Sequence, residues 1–82
     1  MERVVFVKGL KGYRLQVRFS DGVRGIVSVR DRLFGPVFEP LKDPAFFRKV
    51  KVDEYGAVFW PNGADLAPDA LYEQIKSKER VA

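Results

Sequence analysis

The chain contains no cysteine and no histidine. Without cysteine there is no disulfide framework, no thiolate zinc site and no thiol nucleophile. Without histidine there is no ready general base near neutral pH and no imidazole metal ligand. The serines at positions 20, 28 and 77 have no evident activating base. Carboxylates are close in sequence only at Asp53-Glu54, on a turn, and at Asp65, Asp69 and Glu73, where helix caps and the helix dipole account for them. Glycines stand singly at turns, so no phosphate-cradling loop is present. The expectation is a protein that is not an enzyme and takes no cofactor or metal. No apolar run is long enough for a secretory signal or a membrane span, which leads us to expect a soluble, cytoplasmic protein.

What the chain does have is a length of 82 residues, enough for one domain that buries about 60% of its unfolded surface. Its 15 basic and 11 acidic residues give a net charge of +4, with the two signs interspersed rather than blocked. That pattern suits an ordinary solvated surface better than a nucleic-acid footprint, in which cations gather on one face.

Val4 to Val7 is continuously apolar, which predicts a strand with both faces at least partly covered, by a helix or by a second copy of the chain, so a homo-oligomer stays open. The next segment, YRLQVRF, alternates without a break: Tyr13, Leu15, Val17 and Phe19 on one side, Arg14, Gln16 and Arg18 on the other. Ser20-Asp21-Gly22 must then reverse the chain. A two-residue Asp-Gly turn would set Phe19 opposite Arg24 and break the apolar face. A three-residue loop with Gly22 in the left-handed conformation instead pairs Phe19 with Val23, Val17 with Gly25, Leu15 with Val27 and Tyr13 with Val29. The second register is the one expected, with Gly25 where the strand can bend.

That register sets Arg18 opposite Arg24, with Arg14 further along the same face. Like charges directly across a ladder are destabilising, so open solvent, a carboxylate such as Asp21 or Glu39, or a bound anion has to offset them. Arg14, Arg18 and Arg24 are therefore candidate anion or nucleic-acid contacts. Tyr13 and Phe19 point to the other face, which leaves no aromatic among the arginines to stack a base and weighs against single-strand recognition.

Beyond Val29, two prolines and a glycine in RDRLFGPVFEPLKD predict a turn of helix at most, with Leu33, Phe34, Val37, Phe38 and Leu41 tucked against the core. Asp43 and Pro44 then read as the cap and first residue of a short helix. Val50 and Val52 alternate with charged residues, and the EYG turn leads to Ala57–Trp60, giving a second hairpin. In Trp60-Pro61-Asn62-Gly63 the residues follow the preferences of a type I turn, which is expected to end the strand and direct the chain into a helix beginning at Pro68. Leu66 and Leu71 occupy the two positions of a hydrophobic staple around Ala67, and Leu71, Tyr72 and Ile75 form the buried side. The overall expectation is an α+β fold, a small antiparallel sheet made of a three-stranded N-terminal meander and a second hairpin, packed with two short helices. It forms one domain over residues 1–75 with a frayed tail over 76–82. Trp60, Asn62 and Asp65 are either a structural corner or a partner-binding edge, and the accessibility of the Trp60 ring separates the two.

The order of these segments, with the strings FSDG, LKDPAFF and WPNGADL as its most specific parts, resembles the bacterial domain of unknown function family 2442 up to Ile75. The resemblance implies an α+β fold with a small sheet and two helices. It also implies frequent genomic companionship with a second small family, an arrangement that suggests a toxin and antitoxin pair. No catalytic residue carries over. Ala67 stands where relatives tend to carry a Ser or Asp cap, a departure worth about 1 kcal/mol of helix stability. Two functions follow as expectations. One is a protein-interaction module, the antitoxin-like half of a two-gene pair, binding a protein encoded nearby through a sheet edge or the Trp60 corner. The alternative is a nucleic-acid-binding accessory protein that uses the basic sheet face; no membrane partner is expected.

Overall fold

The computed structural model describes residues 2–80. Strands β1 (Val4–Leu10), β2 (Arg14–Phe19) and β3 (Arg24–Ser28) form an antiparallel meander in that order. The three-residue loop predicted for Ser20–Gly22 is present: the Phe19 amide donates to the Val23 carbonyl at 2.7 Å and Gly22 has φ 91°. Arg18 lies opposite Arg24, Val17 opposite Gly25 and Leu15 opposite Val27. The alternation of β2 is realised in full, with Leu15, Val17 and Phe19 buried and Arg14, Gln16 and Arg18 exposed.

β1 is covered on one face and only partly on the other. Its ladder with β2 pairs Val4 with Phe19 and then Phe6 with Arg18, so a bulge falls at Val5. In a regular strand residues two apart share a face; the extra residue breaks that rule and sends Val4 and Phe6 to opposite sides. Val4 is buried, whereas Val5 and Phe6 are 48% and 41% exposed.

The chain after β3 passes through two 3₁₀ turns, Arg30–Arg32 and Glu39–Lys42, to helix α1 (Pro44–Phe47). Asp43 caps α1 as expected, its carboxylate accepting from the Ala45 amide at 3.1 Å. Of the five apolar residues expected to tuck inward on this stretch, Leu33 and Leu41 are buried and Phe38 packs partly against the core. Phe34 and Val37 do not: the left-handed Gly35, φ 85°, turns the segment outward between the two 3₁₀ turns, leaving them exposed.

The second hairpin, β4 (Lys51–Val52) and β5 (Val58–Phe59), gains a third strand, β6 (Asp65–Leu66), making a second antiparallel sheet in the order β4-β5-β6. Thus Pro61-Asn62-Gly63 is a hairpin loop, with the Trp60 amide donating to the Ala64 carbonyl at 2.9 Å, and the chain reaches the helix only after β6. Helix α2 spans Pro68–Arg80. It continues past Ile75, where the expected tail begins. Val81 and Ala82, the end of the expected tail, lie outside the described residues.

α2 packs on the inner face of the first sheet where β3 has no side chain. A Cβ on Gly25 would come within 3.2–3.3 Å of three Ile75 carbons, so this glycine admits the helix rather than only bending the strand. The core is one cluster in which Leu15, Val17 and Val27 of the meander meet Phe47, Val58, Trp60, Leu71 and Ile75. α2 is also clasped to the β2–β3 loop: the Tyr72 hydroxyl donates to the Asp21 carboxylate at 2.7 Å, and the Tyr72 ring meets Phe19 edge-on at 5.0 Å.

The Tyr72 hydroxyl, seconded by the Val23 amide, holds the Asp21 carboxyl below its ordinary value. A carboxyl whose folded-state value is depressed stabilises the fold above its unfolded value and loses that contribution as pH falls through the folded one. Asp21→Asn should therefore lower the melting temperature by a constant amount above the ordinary carboxylate range, and the gap to wild type should close as pH falls below that range. Thermal unfolding across that range checks this, and a gap that persists at low pH would place the Asp21 contribution elsewhere than in its charge.

Candidate functional site

The meander has one face against the core and one toward solvent, and the ladder register lays the outward face out in three rows. Phe6, Arg18 and Arg24 form the first row, Lys8, Gln16 and Ile26 the second, and Leu10, Arg14 and Ser28 the third. Neighbouring rows are about 6.8 Å apart along the strands and neighbouring strands about 4.8 Å apart. The face carries Lys8, Arg14, Arg18 and Arg24, all exposed, and no carboxylate. The carboxylates named as possible partners are engaged elsewhere: Asp21 with Tyr72 and Val23, and Glu39 with Lys42 at 3.2 Å. A different depression, lined by Glu2, Asp69, Tyr72 and Glu73, gathers acidic side chains on the α2 side. The outward sheet face is thus basic and this depression acidic.

The absence of an aromatic among the arginines is overturned. Phe6 stands directly across from Arg18, and the Arg18 guanidinium carbon lies 5.8 Å from the centre of its ring. The missed signal was Lys8: counting back by two from a lysine that must face water puts Phe6 beside it on the outer face. Two adjoining depressions mark this surface, one of about 230 Å³ lined by Phe6, Gln16, Val17, Arg18 and Arg24, the other of about 390 Å³ lined by Gln16, Arg24, Gly25 and Ile26.

The second candidate group separates on inspection. Trp60 is only 1% exposed, with its indole N–H donated to the Phe47 carbonyl at 2.8 Å and its ring 5.7 Å from that of Phe47. It belongs to the core, and the reading of its ring as a recognition edge is corrected. Asp65 is exposed on β6, and its carboxylate makes no hydrogen bond or ion pair with the described residues. Asn62 has two structural bonds: its side-chain oxygen accepts from the Ala64 amide at 3.2 Å, and its Nδ2 donates to the Val37 carbonyl at 2.8 Å.

That last bond connects the corner to a surface that sequence reasoning placed inside. The segment Phe34–Val37 is held at Val37 by Asn62 and at Gly35 by the Glu39 amide, 2.9 Å from its carbonyl. Buried Leu33 and Leu41 anchor its flanks. On this fixed backbone Phe34 is 72% exposed and Val37 48%. Scattered exposed apolar residues are ordinary; two on one braced loop are a shaped feature.

The family model described as protein of unknown function, DUF2442, matches residues 4–77. The chain belongs to this family. No curated protein and no solved structure matches it. The strings FSDG, LKDPAFF and WPNGADL fall on the Ser20–Gly22 loop, the Asp43 cap with α1, and the Pro61–Gly63 loop leading into β6. They are corners that set the course of the chain in this fold. No helix among the described residues is long and apolar enough to cross a membrane.

Proposed function

We propose that this domain works by binding rather than by chemistry, as a protein-interaction module and the antitoxin-like member of a two-gene pair, and that its partner-facing element is the Phe34–Val37 loop. The observation that carries the reading is the exposed Phe34 ring on a backbone fixed from both ends. Large side chains that fill a partner's pocket dominate binding energy, and a loop already rigid before binding loses little entropy on docking. Asn62, expected as a contact, becomes under this reading a brace that holds the loop.

The test is co-expression of the chain with the product of the neighbouring gene, followed by co-purification. The wild-type pair should remain together. Phe34→Ala combined with Val37→Ala should weaken it by at least about tenfold, roughly 1.4 kcal/mol, while unfolding midpoints stay close to wild type because both side chains are exposed. Failure of the wild-type pair to co-purify, or a double variant that still binds at full strength, would remove the loop from this role. A homodimer that dissociates on Phe34→Asp would reassign the loop to self-association.

A further inference from the structure

We propose a second, separate site: the outward face of the β1–β2–β3 sheet binds single-stranded nucleic acid, with the Phe6 ring as platform for one base and Arg18, Arg24 and Lys8 as phosphate contacts. It does not depend on the protein-partner reading, which uses the loop after β3. Three features of the face converge on this ligand.

The first is charge. Arg18 and Arg24 face each other directly across the ladder, a like-charge pair with a cost to the fold, and no ion pair between described residues relieves it. The two arginines occupy paired positions on adjacent strands, and each guanidinium offers a planar fork of donors to an oxyanion presented from solvent. Lys8 lies one row further along, so cationic positions repeat along the direction a polyanion would run.

The second is the ring. Phe6 is 41% exposed at the head of this cationic set, and Arg18 already lies near it. Ring and guanidinium both offer planar surfaces on which a base can stack, and stacking of that kind needs no particular base. Gln16, in the centre of the face and lining both depressions, supplies an amide donor and acceptor toward a base edge.

The third is shape. Duplex DNA is read by a helix or a two-stranded ribbon that enters its major groove. Here the cations lie on a sheet surface three strands wide, about 10 Å across, a breadth that suits one strand with its bases turned down onto the surface. An acidic protein segment would satisfy the arginines equally well but has no planar group for Phe6, and that difference makes the two ligands separable.

The probes are labelled oligothymidine and oligouridine of about 12 nucleotides, titrated with the full chain by fluorescence anisotropy between about 50 and 300 mM salt. Three phosphate contacts predict a fall in log affinity of about 2 per tenfold rise in salt, since single strands lose roughly 0.7 per contact. Arg18→Ala should reduce that slope by about 0.7. Phe6→Ala should weaken binding by about five- to hundredfold with the slope unchanged, and Phe6→Tyr should retain it. Both positions are exposed, so matching unfolding curves confirm that the variants are folded. Comparison of the two oligomers shows whether the sugar matters. The proposal is overturned by no binding at the lowest salt, by Phe6→Ala binding as wild type does, by equal affinity for a duplex of the same length, or by polyglutamate competing as well as the oligonucleotides do.

Discussion

Trp60→Ala is expected to remove about 3–5 kcal/mol of stability, the largest loss of any single truncation in this domain. The ring is almost completely enclosed, packed on Phe47 and close to the centre of the one hydrophobic cluster. Truncating a buried Trp to Ala costs about 3–5 kcal/mol, because the lost transfer energy is joined by that of the cavity left behind. A domain of this size has a total stability of only about 4–12 kcal/mol at the usual 0.05–0.15 kcal/mol per residue, so the change consumes a large share of it. Trp60→Phe refines the expectation. It keeps an aromatic ring but deprives the Phe47 carbonyl of the indole N–H in a buried place, and should cost about 2 kcal/mol. Denaturant unfolding followed by circular dichroism distinguishes the three proteins. An alanine variant with a midpoint near that of wild type would mean that Trp60 is not the keystone its burial indicates.

The same residue shows where sequence reasoning holds and where it stops. The meander register was legible because only one loop length kept β2 and β3 apolar on a single side, and the structure pairs Val17 with Gly25 and Leu15 with Val27 accordingly. The α1 cap was legible for a local reason, an Asp followed by a Pro whose missing N–H is harmless at a helix start. β6 was not, since two residues are too few to display a period. Phe6 was missed because its place within an apolar run hid the face that Lys8, two residues on, shares with it; the bulge at Val5 changes the side of Val4, and nothing in the run marks that extra residue. Phe34 and Val37 look like core by composition; only the outward turn at Gly35 and the hydrogen bond from Asn62, 25 positions away in sequence, decide otherwise. Of the candidate site residues, the arginines were placed correctly on one open face because alternation fixes a face locally. The role of Asn62 depended on a tertiary contact that no local pattern contains.

Gly56→Ala should be far more damaging than Gly63→Ala, although the two glycines occupy the same place in the same kind of loop. Three loops in this chain share one construction: Ser20–Gly22, 54–56 and Pro61–Gly63 each close with the preceding residue's amide donating to the carbonyl after the glycine, at 2.7, 2.9 and 2.9 Å. Their glycines have φ of 91°, 83° and 92°. The backbone penalty for an L-residue is therefore common to all three, about 1–2 kcal/mol. What differs is the surroundings. A Cβ on Gly63 or Gly22 meets nothing within 4 Å, whereas one on Gly56 would lie 2.2 Å from the Arg3 Cβ, 2.9 Å from its Cα and 3.1 Å from the Val4 nitrogen. Two of those atoms are main chain and cannot rotate away, so the start of β1 has to move off the β4–β5 loop. That movement breaks the bond from the Val4 amide to the Gly56 carbonyl, 3.0 Å, and the bond from the Arg3 guanidinium to the Glu54 carbonyl, 2.9 Å. These contacts tie the first sheet to the second. Gly63→Ala should accordingly lower stability by about 1–2 kcal/mol. Gly56→Ala should cost at least about 2 kcal/mol more once the clash and the lost hydrogen bonds are included. Because the conformational term cancels in the comparison, the difference between the two unfolding free energies measures the docking of the sheets. Equal losses at the two positions would mean that β1 shifts without strain and that the two sheets are held together by the core alone.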